Sequence, residues 1–371
     1  MAIMPKEFAT GFFRMSGRRG AEGPSRRAFV GSAVALAACQ PAARGQPAGR
    51  SLPPLRAVAP FPVGSAIQAE QIDDPDLAAL IAAQVSQVTP EWQMKMEYIV
   101  GEGGALRFDA PDRIASFAAA KGLRLHGHTL IWYAQTPAAF EALDSQPGPF
   151  RDAYANYITT VVGRYRGRAA SWDVVNEAVA EDGAGLRDSL WSRRLGAIEH
   201  MRLAYELAHA ADPVAILFLN DYNLEYLPAK RACFLRLAET LLKAGAPLGG
   251  LGTQTHVGLD LPAGAIAAGL SDLASLGLPL HISEMDVSTA RFHRLFSSSA
   301  ELAARQGAVY AEAAKAMAGL PAAQRYALTL WGLRDRDSWR VRENRADTPL
   351  LFDDLGRAKP ALADFEAALS R

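Results

Sequence analysis

The chain has 371 residues, half of them hydrophobic, with 39 basic and 39 acidic side chains and so no formal net charge. That length is too great for one small domain but suits a single α/β barrel behind an export leader, and the balanced charge argues against nucleic acid or an anionic polymer as the main partner while admitting a neutral one. Two cysteines, Cys39 and Cys233, cannot build a disulfide scaffold, and no Cys/His cluster has the spacing of a zinc site, so neither a metal nor another cofactor is expected.

Residues 1–39 read as a leader rather than as fold. Ser25-Arg26-Arg27-Ala28-Phe29 is a twin-arginine signature, and the apolar stretch after it, 29–38, is too short to span a bilayer as a helix. Leu36-Ala37-Ala38-Cys39 reads as a lipobox, in which cleavage leaves Cys39 as a lipidated N-terminus. A plain signal peptide cut after small residues is the alternative. The expected location is periplasmic, with or without a lipid anchor at Cys39, or secreted, and that anchor is the one membrane contact expected. Residues 40–54 are rich in Pro, Ala, Gly and Gln and read as a flexible tether.

The region 55–371 alternates strand and helix signals without an internal repeat. Apolar stretches lie around Ile67, Val88, Leu125, Val174, Leu217, Gly252, Ile282 and Leu330, and helix-period stretches fill most gaps, as at 112–121, 154–166, 198–210, 230–244 and 301–317. Eight strands separated by helices predict a (β/α)8 TIM barrel. An open doubly wound sheet is the alternative, but no Gly-x-Gly-x-x-Gly turn follows the first strand. In a barrel the C-terminal strand ends form the active site, which gathers Glu177, Asn220, His256, Glu284 and Trp331 around one mouth.

Two segments carry the chemistry. Ser171-Trp172-Asp173-Val174-Val175-Asn176-Glu177 and His281-Ile282-Ser283-Glu284-Met285-Asp286 each read as a short apolar strand that ends on an acid. Strand cores rarely tolerate an ionisable group, so each acid is expected to face a site, and two carboxyls from separate strands are the minimum for breaking a glycosidic bond. Glu284 and Asp286 stand two apart, as do Gln254 and His256, so each pair is expected to share a strand face. His256 could then bond Glu284 while Asp286 orients the imidazole, although Asp286 could equally cap the following helix. Trp132, Trp331 and Trp339 are candidate stacking platforms for a sugar face, whereas Trp172 and Trp191 read as core and Cys233 as an inert buried thiol.

From about 61 to 365 the sequence resembles glycoside hydrolase family 10, the family of retaining endo-β-1,4-xylanases. Seven segments match in the family's order: Thr89-Pro90-Glu91 with Met94-Lys95, Gly127-His128-Thr129-Leu130-Ile131-Trp132, Trp172 to Glu177, Asn220-Asp221-Tyr222-Asn223, Gln254-Thr255-His256, Glu284-Met285-Asp286, and Trp331-Gly332 running to Ser338-Trp339. The resemblance implies Glu177 as acid/base and Glu284 as nucleophile, with support from His256, Asp286 and Asn176. It implies Glu91, Lys95, His128, Trp132, Gln135, Tyr222, Gln254, Trp331 and Trp339 as substrate-binding residues. Xylan or a xylo-oligosaccharide is then the partner, and the chain is expected to act as a monomer. The alternatives are the same machinery acting on short oligosaccharides or aryl glycosides, and a non-catalytic sugar-binding protein on the same fold. The second would be expected to lose an acid or the His256–Asp286 pair, and all four residues are present. The match departs from the family at Trp92, Met96, His126, Tyr133 and Ser283, and all but the last are expected on the glycone side of the cleavage point.

Overall fold

Each of the eight apolar stretches forms a strand in the computed structural model, which describes residues 52–292 and 298–370. The twin arginines, the lipobox with Cys39 and nearly all of the tether lie outside the described residues. The strands are β1 (Val63–Ile67), β2 (Gln87–Pro90), β3 (Arg124–Trp132), β4 (Ala169–Asn176), β5 (Ile216–Asp221), β6 (Gly250–Thr253), β7 (His256–Gly258), β8 (Leu280–Ser288) and β9 (Arg325–Leu330). They pair in parallel in the order β6-β5-β4-β3-β2-β1-β9-β8, and β6 pairs with β8 to close the ring. The three-residue β7 rides on the far end of β8, so eight strands carry the barrel.

A helix of ten or more residues follows each barrel strand: α1 (Pro75–Gln84), α2 (Asp109–Ala120), α3 (Pro147–Arg164), α4 (Glu199–Ala211), α5 (Pro228–Lys243), α6 (Ala265–Ala274), α7 (Ser299–Gly319) and α8 (Pro360–Leu369). This is the (β/α)8 architecture expected. Helix α3 begins seven residues earlier than its periodicity suggests. Its first turn holds Pro147 and Pro149, which break a helix interior but are tolerated where the first N–H groups have no partner anyway. Trp172 and Trp191 are buried in the core between strands and helices, as expected. Among the described residues no helix is long and apolar enough to cross a membrane.

Two expectations about the strands need correction. Glu284 does not end its strand: β8 stays paired with β9 as far as Met285, opposite Leu330 at the end of β9, and Asp286 to Ser288 then go on beside β7. Nor do Gln254 and His256 share a strand face. Thr255 between them has φ 59°, a left-handed residue that interrupts the strand, so β6 ends at Thr253 and β7 starts at His256.

The barrel interior is polar at its centre. His126 lies 2.6 Å from Ser171 Oγ and 2.9 Å from Asp173 Oδ2, and His281 lies 2.8 Å from Thr329 Oγ1. The Ser171 and Tyr326 hydroxyls bond each other, and the His126 and His281 rings meet edge-to-face at 4.7 Å. His126 is therefore wholly buried beneath the mouth and not on the glycone side. Met96 is likewise core rather than groove, since its unbranched side chain packs with the hydrophobic cluster.

Candidate active site

Glu177 directly follows β4 and has φ 58°, so the chain turns sharply where it presents the carboxyl. Its neighbour Asn176 ends β4 and pairs in register with Asn220 on β5. That register joins the two acids through one network of amides. Gln254 Nε2 donates to Glu177 Oε1 at 2.9 Å and to Asn176 Oδ1 at 3.3 Å, and Asn176 Nδ2 donates to Glu177 Oε1 at 3.3 Å. Asn220 Nδ2 donates to the same Asn176 oxygen at 3.0 Å and to Glu284 Oε1 at 2.9 Å. Ser283 holds Asn220 from below, its hydroxyl donating to Oδ1 at 2.7 Å. Gly252 makes room for this: a Cβ there would stand 2.3 Å from Asn220 Oδ1.

The other oxygen of Glu284 faces His256, with Nε2 at 3.4 Å, while His256 Nδ1 lies 2.9 Å from Asp286 Oδ2. Asp286 does not cap the next helix, where Ser298 accepts the Glu301 N–H instead. It is gripped by the loop after β9: Trp339 Nε1 donates to Oδ2 at 2.9 Å and Arg340 Nε to Oδ1 at 2.5 Å. Burial alone would lower the His256 pKa, but Asp286 and Glu284 carry it up to about 9, so the ring is cationic at neutral pH. Burial opposes ionisation of Asp286 too, yet Arg340 and His256 hold it below the usual carboxylate range.

The expected sugar-binding residues fall around these acids. Lys95 Nζ stands 4.6 Å from the centre of the Trp132 ring. His128 Nδ1 lies 2.8 Å from Asp173, and the His128–Thr129 peptide is cis. Trp331 is nearly buried, edge-on to His128 at 5.3 Å and to His256 at 6.1 Å, so it forms a wall. Gln135, at φ 53°, pairs with the Tyr98 hydroxyl, and Tyr98 packs against Trp92 at 4.5 Å. Glu91 is engaged twice, by Arg342 Nη2 at 2.5 Å and by Gln68 Nε2 at 2.6 Å. Tyr133 meets Trp132 edge-on, with ring centres 5.9 Å apart. It stacks under Arg187, 4.5 Å from the guanidinium, and with Trp132, Asn176, Arg187 and Trp191 it lines a pocket beside Glu177. Arg187 Nη2 also donates to the Tyr222 hydroxyl at 2.6 Å.

Three of these functional contacts escape sequence reasoning. Asn220 is expected at the mouth but not as the donor to Glu284, although its Asn-Asp-Tyr-Asn setting was a signal. Arg340 and Arg187 lie in loops without periodicity, and only the fold shows what they reach. Among the described residues no His, Cys, Asp and Glu cluster could hold a metal ion.

The family model for glycosyl hydrolase family 10 matches residues 55–368. The chain belongs to glycosyl hydrolase family 10. It is 34% identical over 346 residues to endo-1,4-β-xylanase A of Cellvibrio japonicus, a match that covers 85% of this chain and 56% of that protein. It is 37% identical over 321 residues to an endo-1,4-β-xylanase of Geobacillus stearothermophilus, covering 81% of this chain and 93% of that one. The structure of a thermostable mutant of a Cellvibrio japonicus xylanase superposes with a TM-score of 0.78 at 34% identity, over 85% of this chain and 99% of that chain. Among family members with this barrel, the chain spans little more than half of the first relative and nearly all of the second.

Proposed function

We propose that this chain is a retaining endo-1,4-β-xylanase. The observation that carries the reading is the pair of carboxyls from separate strands joined by shared amides, with His256 and Asp286 behind one of them. Relatives that bear the name endo-1,4-β-xylanase support the substrate class. Glu177 protonates the leaving glycosidic oxygen while Glu284 attacks the anomeric carbon from the opposite face, giving a covalent glycosyl-enzyme. Glu177, now ionised, takes a proton from water, which attacks the same carbon and releases a sugar of retained configuration. His256 on one oxygen of Glu284 and Asn220 on the other fix the direction in which the nucleophile points. Asn176, positioned between the acids, is suited to a hydroxyl of the reacting sugar. Following the anomer first released from xylohexaose by NMR tests the reading. Retained configuration with internal cleavage is expected, and an inverted product would sink it.

One observation favours a shorter glycone chain. Glu91, a residue the family resemblance assigns to sugar binding, is already held by Arg342 and Gln68. The product profile from xylan and from defined xylo-oligosaccharides separates the endo-acting enzyme from an oligosaccharide hydrolase. For placement, the proposal is export by the twin-arginine route with a lipid at Cys39. Arg26→Lys with Arg27→Lys should strand the protein in the cytoplasm. Fatty-acid label that persists in Cys39→Ala, or is missing from the wild type, would remove the anchor.

A further inference from the structure

Behind Glu177 lies a buried ion pair that the reaction scheme above does not use. Asp221 ends β5, Lys230 is in the first turn of α5, their charged atoms are 3.0 Å apart, and neither side chain is exposed. Burying two charges is costly unless each is also hydrogen-bonded, so such a pair needs a reason. The bonds around it supply one. Asp221 Oδ2 accepts the N–H of Val179, two residues after Glu177, at 3.0 Å, and Oδ1 accepts the N–H of Tyr222 at 2.9 Å. One carboxylate thus ties together the turn that carries Glu177 and the turn that carries Tyr222.

The turn at Glu177 needs tying. Its φ of 58° is a region that a residue with a side chain leaves unless held. Its own N–H bonds Asn220 O at 2.8 Å, and the chain beyond it is anchored by Ala178 O, which accepts the Arg187 N–H at 2.8 Å, and by the Val179–Asp221 bond, where a side chain holds the turn. Lys230 packs against the other side of the assembly, with Nζ 3.4 Å from the centre of the Tyr222 ring. The loop beyond Glu177 lies on the same helix end. Gly183, at φ 70°, approaches so closely that a Cβ would meet Lys230 N at 2.5 Å. Glu181 from that loop accepts from Asn223 at 2.8 Å and lies 3.4 Å from Lys230 Nζ.

We infer that the buried Asp221–Lys230 pair is the positioning device of the acid/base, holding the Val179 and Tyr222 amides on one carboxylate so that Glu177 stays aimed at the leaving-group oxygen. The role of Lys230 is to keep that carboxylate ionised. The charged and titratable groups that face Asp221 or its partners are Glu177 after β4, Glu181 and Arg187 in the loop that follows, Tyr133 after β3, Tyr222 after β5 and Lys230 on α5. Burial pushes the Asp221 carboxyl up to about 6 even though Lys230 draws it down. Without the ammonium it would take up a proton at neutral pH, and a protonated carboxyl has one oxygen fewer to offer the two amides.

The inference rests on Glu177 being the acid/base, and its test separates the two claims. Lys230→Met in the full chain is assayed with two aryl β-xylobiosides. Phenol needs a proton to leave and 2,4-dinitrophenol does not. kcat/KM for the phenyl substrate should fall by roughly a hundredfold, the order of a general-acid contribution, while the dinitrophenyl substrate stays within about threefold. Equal losses on both substrates, or no loss on either, overturn the inference, because a general structural defect does not discriminate between leaving groups. If Lys230→Met does not fold, the double variant Asp221→Asn with Lys230→Met removes both buried charges and still offers one acceptor oxygen. The same split is expected of it, and a ratio equal to the wild type overturns the inference. A wild type that cleaves neither xylobioside overturns the glycosidase reading and the inference with it. A wild type that cleaves both beside an unsplit variant overturns the inference alone.

Discussion

Glu177 and Glu284 are held in different ways, and the difference predicts how each fails. Glu284 sits within a long strand between Asn220 and His256. Glu284→Ala should lower kcat on every substrate to background, since no glycosyl-enzyme can form. Glu177→Ala should lose about 10²–10⁴-fold on xylan, the range of general acid–base assistance, yet still form the intermediate from a dinitrophenyl xyloside. Azide should then accelerate turnover and yield a glycosyl azide of retained configuration, and an inverted azide would exchange the two roles. His256 adds a pH dependence. Its pKa is raised from its ordinary value to about 9, so its contribution to stability is complete below about 6.5 and is lost as pH rises through 9. Asp286→Asn should flatten the fall in melting temperature between pH 7 and 10, and an unchanged curve would count against the pairing. These acids could be read in the sequence because a carboxyl after an apolar run has few structural uses. The His256–Asp286 pair beside Glu284 could be read as well, but the amide partner could not, because Asn220 meets Glu284 through the stagger of neighbouring strands, which no single segment encodes.

Among the elements, the strands were the most legible and the loops the least. A barrel strand buried on both faces can leave an unbroken apolar run, as at Ile216 to Leu219, and that run became a strand. The period-two argument failed at Gln254 and His256 because a left-handed Thr255 resets the alternation. The short helix Trp339–Glu343 shows what a loop can hide. Trp339 and Arg340 grip Asp286 from one side of this turn, while Arg342 reaches Glu91 from the other. Arg342→Ala should leave kcat/KM for a simple aryl xyloside within about twofold and free Glu91 for a sugar hydroxyl. The gain from adding a second glycone sugar should then rise by about tenfold, the value of one hydrogen bond to a charged partner. Trp92→Asn offers a companion test. If the added sugar helps the variant and the wild type equally, the Trp92–Tyr98 pair is packing and the glycone side is unobstructed.

For the molecule as a whole, the polar barrel centre sets the acid limit. Burial resists charge on Asp173, but His126 and His128 hold its carboxyl below the usual range, so its contribution to stability is present above about 3.9 and is lost as pH falls below that. Burial and the neighbouring His126 push His281 well below its ordinary value, so stability begins to fall earlier, once pH drops under about 6.5. Melting temperature should therefore decline in two stages. His281→Gln should remove the first and leave the second, whereas a single stage in the wild type would contradict this account. Closure of the ring also has a cost in time. Val63 on β1 pairs with Leu328 on β9, 265 residues further along the chain. At about 5–20 residues per second of synthesis, the free edge of β1 waits roughly 10–50 s for its partner. During that wait a row of unpaired backbone groups is open to other chains. The same late pairing that completes the active-site mouth makes this protein's yield in a cell depend on how well its first strand is guarded while the last is still being made.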